Sequence, residues 1–209
     1  MPENNPNIIY RKATLHDVPA MHRIIGDCAE LGLMLSQSLA ALYENIRKFY
    51  VAAAIPRTDN PDNQDAAPEN QTVIGVCGLT IIWANMAEIA SLAVDPNFRG
   101  FGIGKALVNH CLAEARTLSI KKIMTLTYEQ RFFESLGFHV IDRQTLPLKV
   151  WSACINCPKN QACDEIAMIN ILSDVEEIHA PSPATQPETY TIPITLSQTK
   201  IHGKANKQV

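Results

Sequence analysis

SLAVDPNFRGFGIGKALVNHCLAEARTL, residues 91–118, decides the fold. It has three parts. Residues 91–94 are a short apolar run. Residues 99–104, RGFGIG, carry a glycine at every second position. Residues 105–118 have helical periodicity, with Leu107, Cys111, Ala115 and Leu118 on one face. A strand, a glycine turn and a helix start together make an anion site. The first helical N–H groups lack intrahelical partners, and the helix dipole places partial positive charge there. Gly100, Gly102 and Gly104 let a phosphate approach the backbone, and Arg99 can add a charge-assisted contact. The spacing excludes two familiar phosphate loops. A dinucleotide fingerprint needs G-x-G-x-x-G, and a P-loop needs G-K-[ST], whereas Ala106 follows Lys105 here. A tight turn packing helix on strand is the other reading of the glycines.

Working outward, residues 86–94 and 73–83 read as strands before the loop. Residues 122–127 read as a strand, 129–136 as a short helix and 138–143 as a strand after it. On the N-terminal side, residues 8–12 and 50–55 are strand candidates. Between them, Thr14 and Asp17 mark a helix start whose apolar face is Val18, Met21, Ile25 and Cys28, with Gly32 at its end. Ser36 or Ser38 caps a second helix with Leu39, Leu42, Ile46 and Phe49 inward. The order β-α-α-β-β-β-α-β-α-β predicts a mixed α/β (α+β) fold. Residues 56–71 are polar and proline-broken and are expected to form a mobile loop. Residues 146–168 bear cysteines, and 173–209 are expected to be a flexible tail with a strand near 190–196. The domain is therefore placed at residues 1–172.

The run from Val94 to Gly104 resembles the acetyl-CoA motif of the GNAT superfamily of N-acetyltransferases, in which Arg or Gln precedes x-x-G-x-G; Arg99, Gly102 and Gly104 match it. Phe132-Phe-Glu-Ser-Leu-Gly-Phe138 resembles the late helix and following strand of that family. The resemblance covers most of residues 8–171. It implies a mixed sheet splayed between its middle strands, with acetyl-CoA held between them. It also implies cofactor contacts from Leu92, Ala93, Val94, Arg99, Gly100, Phe101, Gly102, Ile103, Gly104, Lys105 and Phe133. A free backbone N–H near residues 92–94 would hold the oxyanion.

Acetyl transfer to an amine needs a proton acceptor, because amines are largely protonated at neutral pH. Glu88 lies within an apolar strand, where burial would raise its pKa. A glutamate in a strand is on its own as readily a solvated outward residue. The resemblance assigns it the role of general base, since several family members carry that glutamate on this strand. Many members protonate the leaving thiolate with a tyrosine where this chain has Phe133. Tyr128 stands nearby and reads as an aromatic opening a helix, so the thiolate is expected to leave unprotonated or to take a proton from solvent. His22 and His110 read as helix-surface residues, and no Ser-His-Asp arrangement is present.

Residues 42–47, 87–94, 126–128, 132–138, 146–151 and 154–168 further resemble the short N-acetylglutamate synthases of arginine biosynthesis. That likeness implies L-glutamate as acceptor. Other amino acids, amines or a protein N-terminus are the alternative acceptors, and a silent acyl-CoA-binding sensor is the alternative class. Where such synthases carry an arginine before the serine that opens the second helix, this chain has Gln37 before Ser38. Gln37 and Ser38 are candidate substrate contacts. Lys149, Lys159 or Arg131 could supply the missing charge, and each reads equally well as a surface residue.

Cys154, Cys157 and Cys163 form a C-x2-C-x5-C cluster that could hold a structural zinc with Asp164 or a distant fourth ligand, or could simply fix a loop. The chain of 209 residues has a net charge of −3, which gives no basic footprint for nucleic acid. No apolar run is long enough to span a membrane, and the N-terminus lacks a signal core. A cytoplasmic protein with reduced thiols is expected, possible as a homodimer.

Overall fold

A computed structural model describes residues 7–55, 71–146 and 164–177. Its centre is a seven-stranded sheet. The strands are β1 (Asn7–Lys12), β2 (Phe49–Ile55), β3 (Thr72–Trp83), β4 (Met86–Val94), β5 (Lys122–Thr127), β6 (His139–Val140) and β7 (Ile166–Ile171), in the order β1-β2-β3-β4-β5-β7-β6. The helices are α1 (Val18–Glu30), α2 (Leu39–Glu44), α3 (Ile103–Thr117) and α4 (Gln130–Glu134). The sheet is mixed: β4 and β5 run parallel, and every other neighbouring pair runs antiparallel. Met1–His179 forms one compact unit; the second, Ala180–Val209, lies outside the described residues.

The two faces of the sheet are filled by different elements. Leu107, Cys111 and Ala115 of α3 pack on Ile74, Ala87, Ile89 and Ile123. Val18, Met21, Ile25 and Cys28 of α1 pack with Leu42 on Val51, Val73, Val76 and Ala93. A third cluster joins Ile82, Met124, Leu146 and Ala167, with Met86 and Leu126 beside it. Met124 and Met86 adjoin Ile123 and Ala87, whose side chains face α3. Period-two alternation therefore places this third cluster on the opposite face.

Several boundaries differ from the sequence reading. Leu118 falls after α3 and is exposed, and Leu39 lies on the outer side of α2 at 45% exposure. The strand expected at 138–143 is only His139–Val140, because a 3-10 turn at Arg143–Thr145 follows. The sequence reading missed β7. Residues after Ser173 do not leave the fold at once: Val175 is buried against the α3 cluster, Asp174 pairs with Arg116 at 2.7 Å, and Glu177 pairs with Lys122 at 2.8 Å. His110 is no simple surface residue. It stacks on the rings of both Tyr10 and Tyr50, with centroids 5.4 and 5.5 Å away. Among the described residues Cys28, Cys77 and Cys111 are buried and unbridged. Residues 56–70, the cysteine cluster and most of the expected tail lie outside the described residues.

Candidate active site

The site begins where the sheet forks. β4 pairs with β5 for three residues only, ending at Glu88 opposite Met124. Beyond that rung β5 continues against β7 as far as Thr127 opposite Ile166, while β4 continues against β3 as far as Val94 opposite Gly75. The β3–β4 register shifts between Val76 and Gly78, and within that bulge Ser91 takes a left-handed φ of 54°. At the crotch of the fork the Thr125 hydroxyl donates to the Ile89 carbonyl at 3.0 Å. A side chain thus closes the first gap in the ladder, and the splay expected between the middle strands is present.

The fork opens into a cavity of about 770 Å³. One end is the glycine loop. Asp95 accepts from the Asn97 amide at 3.1 Å and starts a 3-10 turn over Pro96–Phe98. Gly100 and Gly102 follow at φ 86° and 75°, conformations that favour glycine. A Cβ at either position would meet no atom within 4 Å, so the backbone lies open. Gly102 precedes α3, whose first helical bond runs from the Ala106 amide to the Gly102 carbonyl. The amides of Ile103, Gly104 and Lys105 therefore lie ahead of the helical ladder, as an anion site requires. Arg99, Gly100, Gly102, Ile103, Gly104 and Lys105 all line the cavity, as do Leu92, Ala93 and Val94. Phe101 does not: it is 52% exposed and outside the wall. Alternation along the loop turns it away from the glycine amides.

Glu88 lines the cavity at the last rung of the fork. Its neighbours Ala87 and Ile89 face α3, so alternation turns Glu88 to the other face. It is half-buried, and burial raises its carboxyl most. The carboxylate of Glu165 raises it further and Lys48 pulls partly back, leaving a pKa of about 7. Glu165, immediately before β7, lines the same cavity. Neither Glu165 nor Lys48 was visible as a site residue in the sequence. Their proximity to Glu88 depends on β7 docking beside β5 and β2 beside β3, and no local pattern encodes either.

Phe133 is buried in the α3 cluster and edges onto Phe132 and Phe138, with centroids 5.0 and 5.2 Å apart. It reaches the cavity, as does Phe132. Tyr128 also lies on the wall, its hydroxyl donating to Asp164 Oδ1 at 2.8 Å. Gln37 lines the cavity from the segment between α1 and α2, and its amide donates to the Ser91 hydroxyl at 2.8 Å. Ser38 is not on the wall. Its hydroxyl accepts from the Ala41 amide at 3.1 Å and caps α2, which explains that serine without a substrate. Arg131 is exposed and is not among the residues that line the cavity. Lys149, Lys159, Cys154, Cys157 and Cys163 lie outside the described residues. Among the described residues no cluster of three or more His, Cys, Asp or Glu is placed to hold a metal. No described helix is long and apolar enough to cross a membrane.

Comparison with known proteins agrees with this geometry. Residues 35–138 match the acetyltransferase (GNAT) family. An uncharacterized N-acetyltransferase of Chlorobaculum tepidum is 36% identical over 162 residues, 78% of this chain and 95% of its own. An amino-acid acetyltransferase of Mycobacterium tuberculosis is 32% identical over 143 residues, 68% of this chain and 75% of its own. Among solved structures, a Mycobacterium tuberculosis protein in complex with CoA and NLQ superposes with a TM-score of 0.62 at 28% identity, covering 78% of this chain and 99% of that one. The fork, the glycine loop and these relatives agree: the chain belongs to the GNAT family of acetyltransferases.

Proposed function

We propose that this protein transfers the acetyl group of acetyl-CoA to the α-amino group of L-glutamate, the first step of arginine biosynthesis. The observation that carries the reading is Glu88. A carboxyl with a pKa of about 7 shares one cavity with a helix-start anion site. The loop amides of residues 103–105 and Arg99 take the pyrophosphate. Glu88 removes a proton from the ammonium group of the acceptor, directly or through one water. The neutral nitrogen attacks the acetyl carbonyl, and amides of the open β4 edge near residues 92–94 stabilise the oxyanion. The nitrogen of the intermediate gives up its second proton to solvent as the intermediate collapses by expelling the CoA thiolate. Tyr128, bonded to Asp164, carries a phenol on the wall that can return a proton to the thiolate.

An amino-acid acceptor rests on the Mycobacterium tuberculosis relative named amino-acid acetyltransferase. Glutamate rests on the likeness of residues 42–47 and 146–168 to short N-acetylglutamate synthases. One feature favours a second acceptor. Gln37 offers an amide, and the Glu165 carboxylate shares the cavity, so a neutral side chain such as that of glutamine meets less repulsion than a second carboxylate. Thiol release from acetyl-CoA with glutamate, glutamine, aspartate and leucine at equal concentration decides. Glutamate should give the highest kcat/KM; a higher value for any of the others assigns the acceptor to that amino acid. A structural zinc at Cys154, Cys157 and Cys163 is proposed on spacing alone, and metal analysis of chelator-free protein tests it.

A further inference from the structure

We infer that Arg143 binds the α-carboxylate of the acceptor; the inference rests on the amino-acid reading above but not on the identity of the acceptor's side chain. Among the described residues on the cavity wall the cations are Arg99, Lys105 and Arg143. The first two belong to the glycine loop and the opening turn of α3, at the phosphate end. Arg143 enters from the other side of the fork. It opens the 3-10 turn that follows β6, and that turn is anchored at several points. The Ile141 amide donates to the Ala167 carbonyl of β7 at 2.9 Å. Asp142 caps the turn by accepting from the Gln144 amide at 2.9 Å. Leu146, just beyond the turn, is buried in the cluster with Met124, and Met124 is the residue opposite Glu88 in the last β4–β5 rung. Arg143 is therefore carried on a fixed support that packs against the rung holding Glu88.

That placement matters because of what an α-amino acid is. Its amine and its carboxylate share one carbon, so a cation for the carboxylate must stand within a side chain's reach of the base. The neighbourhood is otherwise hostile to an anion: Glu88, Glu129 and Glu165 are the carboxylates on the wall. An acceptor carboxylate entering a partly dehydrated cleft beside them needs a positive partner. Lys48 acts on Glu88 electrostatically but is not on the wall. Arginine suits the task, since its five N–H donors can hold a protein partner and a substrate carboxylate together, the latter through paired bonds. Gln37, bonded to Ser91 on the opposite side, is left to face the side chain of the acceptor.

The test uses Arg143→Gln and Arg143→Lys in the full chain, with the best amino-acid acceptor of the wild type and the α-carboxamide of that same amino acid. Arg143→Gln should raise KM for the amino acid about 10- to 100-fold, the loss expected for a charged bidentate contact, with kcat changed little. Arg143→Lys should recover part of the loss. The α-carboxamide should be a poor acceptor for wild type and no poorer for Arg143→Gln, and the calorimetric Kd for CoA should not move. An equal loss on acid and carboxamide, an unchanged KM for the acid, or weakened CoA binding overturns the assignment. A wild-type protein that acetylates no amino acid removes the amino-acid reading and the inference with it, whereas one that does so with Arg143→Gln indistinguishable removes the inference alone.

Discussion

Glu88→Gln is expected to lower activity and raise stability, and the pH dependence of each effect can be worked from the site. Burial, assisted by the Glu165 carboxylate and opposed by Lys48, moves the Glu88 carboxyl from an ordinary 4.5 to about 7. The folded protein keeps this proton across a range in which the unfolded chain has lost it. The folded state thus binds more protons, and stability falls as pH rises from 4.5 through 7. At ~1.4 kcal/mol for each pH unit the ceiling is about 3 kcal/mol, and partial exposure of Glu88 reduces it to about 1–2 kcal/mol. Glutamine keeps the shape and cannot ionise. The variant should match wild type in stability near pH 4.5 and exceed it by about 1–2 kcal/mol at pH 8.

Activity should move the other way. The base works only when ionised, so its contribution to kcat/KM falls about tenfold for each unit below its pKa and is level above. The acceptor amine titrates too, but it titrates equally for wild type and variant. The ratio of the two kcat/KM values at each pH therefore isolates Glu88. That ratio should be about 10²–10⁴ on the plateau and should fall below pH 7 with a midpoint near 7. Thiol release between about pH 5.5 and 8.5, with thermal melts at the same pH values, measures both effects. A ratio that stays flat across the range, together with melts that coincide at pH 8, would refute the assignment of Glu88 as a buried base.

Glu165→Gln should shift the midpoint of that ratio downward and Lys48→Met should shift it upward, because the first removes a charge that raises Glu88 and the second a charge that lowers it; midpoints that do not move would show that neither group faces the base. Gly102→Val must hold φ 75° with a branched side chain, at a strain of about 1–2 kcal/mol, and its Cβ enters the open space of the loop. Calorimetry should show CoA affinity reduced at least about tenfold, and an unchanged Kd would remove the loop from the binding site. Thr125→Val leaves the Ile89 carbonyl without its hydroxyl donor. It should cost about 1–3 kcal/mol in denaturant melts, and a neutral result would mean that the crotch of the fork does not depend on this bond.

Local chemistry was legible in the sequence wherever it was sufficient. The strand at Met86–Val94 and that at Lys122–Thr127 appear where their apolar runs placed them, and α1 buries the four residues of its predicted face. The glycine loop sits at a helix start because strand, turn and helix are contiguous in the chain. What escaped depends on partners distant in sequence. β7 is six residues, IAMINI, without alternation, and only docking beside β5 makes it a strand. Arg143 and Glu165 reach the cavity because β6 and β7 place their flanking residues there, which spacing along the chain does not reveal. Phe101 reads as part of the loop motif, yet it points to solvent because its flanking glycines turn the backbone inward. Ser38 reads as a substrate contact and serves instead as a helix cap, a role its position before α2 equally well explains.

The fork accounts for both halves of the site at once. A parallel pair that ended anywhere else would open no cavity beside Glu88, and a glutamate placed one residue along β4 would face α3 and the apolar core. The place where the strands part is held from three directions. Thr125 ties β5 to β4 at Ile89. Gln37 ties the α1–α2 segment to Ser91, whose left-handed backbone turns β4 away. Gly78 lets β3 follow the bulge, since a Cβ there would stand 3.0 Å from the Phe49 ring and 3.3 Å from the Ala90 carbonyl. The same divergence that bares the β4 edge leaves Glu88 half-buried on the cavity wall, with a second carboxylate, Glu165, near enough to raise it further. Desolvation and like charge then hold the proton until pH reaches about 7. The topology that opens the cavity is therefore also the cause of the raised carboxyl that the proposed reaction requires of its base.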